Sequence, residues 1–174
     1  PGNHDVGDKP GEKHEIKSEH LDQWKSVFGD DRFCTTRRNW TLIGINTQIV
    51  GAGLREEVDQ FEWLDTQLDI AERNGYQVAM FLHAAAYLFE PDEVLEGASQ
   101  YWGFNPYARR ELLKRLDRPH VKLVANGHLH WHQVFERDSA VHVWCPSVSF
   151  IIDDAIFPRG GGLVGIVRYR QNET

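Results

Sequence analysis

Apolar residues recur along the chain at two spacings. Leu21, Trp24, Val27 and Phe28 fall at helical intervals within Ile16 to Phe28, ahead of Gly29, and predict a short amphipathic helix. Glu56 to Asn74 places Val58, Phe61, Leu64, Leu68 and Ala71 on one face before Gly75, a second helix whose stripe belongs to the core. Trp40 to Asn46, Tyr76 to Leu82 and Val121 to Ala125 are short β-rich runs, and the near-continuous apolar character of 76–82 predicts a strand covered on both faces. Asn105-Pro106 reads as N-cap and first residue of a helix reaching Asp117, with Leu112, Leu113 and Leu116 inward. Thereafter the spacing shortens. Gln133 to Arg137, Ala140 to Trp144 and Leu163 to Tyr169 are strand candidates, with Asp138-Ser139 closing a hairpin. Strand and helix alternate over two thirds of the chain and strands dominate the last third, which predicts an α/β sandwich. Residues 1–15, with three Gly, two Pro and no apolar period, predict a loop; 84–104 predict a long irregular segment of the kind that often carries function.

The 174 residues fit one domain rather than two. With 26 Asp and Glu against 19 Lys and Arg, the formal charge of −7 supplies no basic field for a long nucleic acid. A small anionic substrate therefore needs metal ions or a local pocket. No apolar run approaches the roughly 20 residues of a membrane span, so a soluble protein is expected, with the cytoplasm as favoured compartment. Cys34 and Cys145 are too few for a disulfide framework and lack a CxxC spacing, and are read as reduced, partly buried thiols.

Three segments carry chemistry: Gly2-Asn3-His4-Asp5, His83 at the end of a predicted strand, and Gly127-His128-Leu129-His130 after another. In α/β sheets ligands bind just beyond the carboxyl ends of strands. Neutral imidazole is a common metal ligand, and on an extended segment side chains two apart share a face. By this chain's composition a chance GNHD is expected roughly 0.002 times and a chance GHxH roughly 0.04 times. Taken singly, His83 reads as a core histidine and GNHD as a polar turn; in this order the segments reinforce one another.

GNHD, a strand-terminal His and GHxH together resemble the calcineurin-like metallophosphoesterase superfamily, particularly its cyclic-nucleotide phosphodiesterase-like bacterial members. The resemblance implies a sandwich of mixed β-sheets flanked by helices that hydrolyses phosphomonoesters or phosphodiesters with a hydroxide bridging two divalent metal ions. Asn3, His83 and His128 would bind one ion and His130 the other; Mn, Fe, Co or Zn suit such donors. His4 would lie by the leaving group as general acid, its imidazole oriented by Asp5. The family pattern also has Asp-x-His and Gly-Asp-x-x-Asp segments upstream of GNHD, absent here. Residues 1–174 are accordingly expected to form the C-terminal portion of a single metallophosphoesterase domain, lacking its first strands and, in isolation, weak or inactive. Asp8 does not replace the bridging carboxylate, and Ala84-Ala85-Ala86 departs from the His or Pro that relatives often carry after the strand-end His.

The competing expectation is a non-catalytic metal-binding or interaction domain derived from the same fold. A homo-oligomer is the partner expected of exposed strand edges, beside a small phosphorylated substrate. Trp102, Phe104 and Tyr107 are read as loop packing rather than base-stacking residues, Arg159-Gly160-Gly161-Gly162 as a plain glycine loop, Asp153 and Asp154 as surface acids, and His14, His20, His120, His132 and His142 as solvent-facing or core residues.

Overall fold

A computed structural model of the protein describes residues 1–9, 11–96, 100–149 and 165–169. Among them runs one mixed six-stranded sheet in the order β1-β2-β3-β4-β6-β5. The strands are β1 (Phe33–Arg37), β2 (Trp40–Gly44), β3 (Gln77–Leu82), β4 (Val121–Asn126), β5 (Gln133–Arg137) and β6 (Ala140–Trp144). β2, β3, β4 and β6 are mutually parallel, and antiparallel β1 and β5 close the two edges. The α/β class expected from the alternation holds. Parallel neighbours need crossovers, and α3 (Arg55–Arg73) and α4 (Pro106–Leu116) supply them between β2 and β3 and between β3 and β4.

Both helices press on one face of the sheet. Leu64, Leu68 and Ala71 of α3 and Ala108, Leu112, Leu113 and Leu116 of α4 share a cluster with Ile43, Val78, Met80, Leu82 and Val124. The α4 start is set as its sequence predicts: Asn105 Oδ1 accepts from the Ala108 amide at 2.9 Å, and Pro106 fills the first helical position. The stripe predicted for α3 is shorter than expected, because Val58 is 56% exposed. Its neighbour Gln60 goes inside instead, where Oε1 accepts from the Asn46 amide and Nε2 donates to the Asn46 carbonyl, satisfying backbone that has left the sheet.

Helix α2 (Ser18–Phe28) forms as expected, but buries only Leu21 fully; Val27 and Phe28 face outward, with Phe28 against Trp24 at 4.5 Å between ring centroids. Residues 1–15 are not all loop. One helical turn, α1 (Asn3–Val6), forms at GNHD, and the Asp8 and Ile16 amides, bonded to the His14 and Asp8 carbonyls at 2.7 Å each, close the segment that follows. The β5–β6 hairpin has the predicted limits, with Asp138 at φ 51° in its turn. Of the strand expected at 163–169, the described part, 165–169, is irregular. Asp153, Asp154 and the Arg159 to Gly162 stretch lie outside the described residues. No helix among the described residues is long and apolar enough to cross a membrane.

Candidate metal centre

The parallel strands bring their carboxyl ends to one edge of the sheet. Leu82 pairs with Asn126, so His83 and Gly127, the next residues, lie side by side, and the Gly127 amide donates to the His83 carbonyl at 3.1 Å. Beyond β2, Asn46, Thr47 and Gln48 are buried and hold the neighbouring segments in place. Thr47 Oγ1 accepts from the Ala84 amide at 2.9 Å, and Gln48 Nε2 donates to the Gly7 carbonyl at 3.1 Å. The alanines after His83 thus have a structural reason: all three are buried, and the first is anchored to Thr47.

GNHD is brought against His83 by a close approach of backbone to ring. A Cβ built at Gly2 would stand 2.7 Å from His83 Cε1 and Nδ1. Only glycine leaves the imidazole room there. Asn3 then extends three hydrogen bonds. Its Oδ1 lies 2.9 Å from His83 Nε2, while Nδ2 donates to Tyr101 Oη at 2.9 Å and to Asp8 Oδ1 at 3.1 Å. The rings of His83 and His128 are 4.8 Å apart, and Tyr101 and Trp102 flank His128 at 5.5 and 5.3 Å.

Burial is the main cause of imidazole neutrality here. It lowers His83 to about 4 and His128 to about 3, and neighbouring imidazoles, His4 and His130 among them, push in the same direction by like-charge repulsion. Burial lowers His130 as well. Both rings, His128 buried and His83 half-buried, are therefore neutral at neutral pH, the charge state that binds metal. Two donors about 2.1 Å from one ion, set at about 90° to 110°, stand about 3.0 to 3.4 Å apart. The 2.9 Å between His83 Nε2 and Asn3 Oδ1 is close to such a spacing. Asn3, His83 and His128, expected as ligands of one ion, are thus brought together and suit it chemically. Among the described residues no group of three or more His, Cys, Asp or Glu is gathered to hold a metal, and Asp8 accepts from the Asn3 amide.

The segment around His128 reaches its place by another route than the extended His-x-His expected. His128 and His130 have φ of 34° and 53°, and between them Leu129 is fully buried against Trp131 and Trp144. His130 is partly buried. His4 and Asp5 are exposed on α1, and Asp5 Oδ2 accepts from the Gly2 amide at 2.7 Å, tying the turn to itself.

A cleft of about 380 Å³ opens beside Asn3, His4 and Asp5, with Asp8, His14, His20, Gln23 and Tyr101 on its walls. His14 and His20 thus face a cleft, which neither the polar loop around His14 nor the helical pattern around His20 reveals in the sequence. Tyr101 is another residue that sequence reasoning passes over; its one signal is membership of an aromatic group in a long irregular segment. His142 is core, stacked on Phe135 at 5.1 Å; His132 and Tyr107 are exposed, and Phe104 is buried.

No family model matches the chain. Serine/threonine-protein phosphatase CPPED1 of Mus musculus is 30% identical to it over 133 residues, which make up 74% of this chain and 39% of that protein. The Homo sapiens protein of the same name is 28% identical over 135 residues, again 74% of this chain and 40% of its own length. The chain spans about two fifths of the length of these curated relatives. Among solved structures, a dimetal phosphatase from Danio rerio matches with a TM-score of 0.51 at 12% identity, over 72% of this chain and 56% of its own; that likeness is one of fold.

Proposed function

The chain belongs to the calcineurin-like metallophosphoesterase superfamily, and on that premise we propose that it carries part of a metal-dependent site for hydrolysis of phosphate esters. The observation that carries this reading is the meeting of Asn3 Oδ1, His83 Nε2 and the His128 ring, which come from three separated stretches of sequence. Asn3, His83 and His128 would hold one divalent ion, and His130 would serve a second. Bound there, such ions acidify water and offset phosphoryl charge.

The chain's own residues have separable tasks. Burial keeps His83 and His128 neutral, so each ring has one nitrogen lone pair for a metal, and at His83 a shift of the ring proton from Nε2 to Nδ1, with no net proton lost, would free the nitrogen that faces Asn3. The Asn3 carboxamide adds a neutral oxygen donor. His4, exposed on the cleft wall, would donate an imidazole proton to the ester oxygen that departs. Asp5 fixes the turn that carries His4 through its bond to the Gly2 amide. His14, His20 and Gln23 line the same cleft and offer hydrogen bonds to a small phosphorylated substrate. The relatives' names point to phosphomonoesters of serine or threonine.

Thermal unfolding with and without Mn(II) or Zn(II) tests the metal reading. A ligand bound to the folded state alone stabilises it by about 2.7 kcal/mol at 100 times its Kd. Added ion is expected to raise Tm, chelator to reverse the rise, and His83→Ala to abolish it. Turnover of p-nitrophenyl phosphate and bis-p-nitrophenyl phosphate by the metal-loaded protein then separates monoester from diester chemistry. In the full-length protein, stabilisation by one equivalent of metal without turnover of either ester would support a non-catalytic metal-binding domain.

A further inference from the structure

We infer that Tyr101 and Asp8 form a clamp on the Asn3 carboxamide, with Tyr101 as the positioning residue that keeps the amide oxygen turned toward His83; this rests on the metal-centre reading above. An asparagine amide is nearly symmetric in shape. Rotation by half a turn about its last torsion exchanges Oδ1 and Nδ2 at little steric cost, so hydrogen-bond partners alone decide which atom faces the site.

Here the partners are unambiguous. The two Nδ2 protons are both taken, one by Asp8 Oδ1 at 3.1 Å and one by Tyr101 Oη at 2.9 Å. The Tyr101 hydroxyl donates its own proton to Asp8 Oδ1 at 3.3 Å, which closes a triangle and leaves a phenol lone pair pointing at Asn3. Asn3 Oδ1 is thereby directed to His83 Nε2 at 2.9 Å. In the flipped rotamer Oδ1 would face the Asp8 carboxylate, two acceptors in contact, and the amide protons would face the place a cation would occupy. Both changes are unfavourable.

The clamp reaches across the molecule. Tyr101 lies in a 3-10 turn of the segment before α4, while Asn3 and Asp8 belong to the amino-terminal stretch. The Tyr101 ring is seated against Trp102 at 4.8 Å and His128 at 5.5 Å. That segment is itself tied to α4, where buried Arg109 donates to the Pro91 and Phe104 carbonyls and pairs with Glu93 at 3.6 Å. A residue outside the sheet and the long helices thus sets the orientation of an amide proposed as a metal ligand.

The test compares wild type, Tyr101→Phe, Asn3→Ala and the double variant. Solvent exchange of the Asn3 side-chain amide protons is read by nitrogen-15 NMR, and Mn(II) affinity by calorimetry. Tyr101→Phe keeps the ring and removes only the hydroxyl, so unfolding of the metal-free protein should be little changed. Faster exchange of the Asn3 amide and about 10-fold weaker Mn(II) binding are expected, as for loss of other groups that orient a metal ligand. In the Asn3→Ala background the same change should have no further effect on affinity. Asp8→Asn, close in shape but able to turn N–H toward Asn3, should weaken binding similarly. Unchanged exchange of the Asn3 amide, or a Tyr101→Phe loss that persists without Asn3, would overturn the inference. Should wild type take up no Mn(II), the metal-centre reading fails and amide exchange alone decides the clamp.

Discussion

Replacing Gly2 by alanine tests how tightly the site is built. Gly2 has φ −112° and ψ −176°, extended backbone that alanine adopts freely, so the substitution brings no backbone strain. Its effect is a collision. The new methyl carbon would lie 2.7 Å from His83 Cε1 and Nδ1 and 2.9 Å from Nε2, where ordinary contact begins at about 3.4 Å, so ring and backbone must separate by about 0.7 Å. Carried in full by the ring and directed away from Asn3, that displacement would stretch the Nε2 to Asn3 Oδ1 distance from 2.9 Å to at most about 3.6 Å, beyond hydrogen-bond reach. Disturbing groups that orient a metal ligand typically costs 10-fold to 100-fold in affinity, and Gly2→Ala is expected to weaken Mn(II) binding by about that much. Calorimetric titration reads the loss, with circular dichroism confirming that the variant folds. Unchanged affinity in a folded variant would refute the reasoning, because the imidazole could not then be confined by the Gly2 backbone while also serving as a ligand.

Two further outcomes concern stability. Burial lowers His142 from 6.5 to about 4, with Arg137 pushing the same way and Asp138 opposing; the unfolded chain therefore binds the proton more readily. Stability is undiminished by this group above about pH 6.5 and falls as pH drops toward 4, the loss reaching about 3 kcal/mol at the acid end. Urea midpoints from pH 7 to pH 4 should fall less steeply for His142→Leu than for wild type; parallel curves would contradict this. Arg109→Met should lower unfolding free energy by about 3 kcal/mol in urea titrations, since it strands the nearly buried Glu93 carboxylate. Glu93→Gln in the same chain should restore part of the loss. A deficit below about 1 kcal/mol would show that the three amides bonded to Glu93, those of Leu88, Phe89 and Glu90, compensate its charge unaided.

Elements with a strong local signal are legible in the chain. The α4 start is written in Asn105-Pro106 and the β5–β6 hairpin in alternating residues around Asp138-Ser139. β1 is not. Phe33 to Arg37 is mostly exposed edge strand with no buried alternation to mark it, and its place is fixed by pairing with β2. α1 is a single turn, too short to show a helical period. In α3, Val58 fits the apolar stripe but is exposed, whereas Gln60 is buried because a strand end needs its amide. At the site, the three ligand candidates are legible because imidazoles and an amide recur in a recognisable order. Asp8, Tyr101, His14 and His20 are not, because their roles depend on contacts between segments far apart in the chain. The Asn3 to Tyr101 bond, for instance, joins residues 98 positions apart.

His128 and His130 both carry left-handed backbone, with φ of 34° and 53°. For residues bearing a Cβ this conformation costs roughly 1–2 kcal/mol each, a cost that glycine would avoid and asparagine would reduce. Thermodynamic robustness and chemistry accordingly pull in opposite directions at these two positions. A stabilisation campaign that ranked substitutions by melting temperature alone would favour Gly or Asn at 128 and 130, and would remove two of the proposed ligands while improving the scaffold.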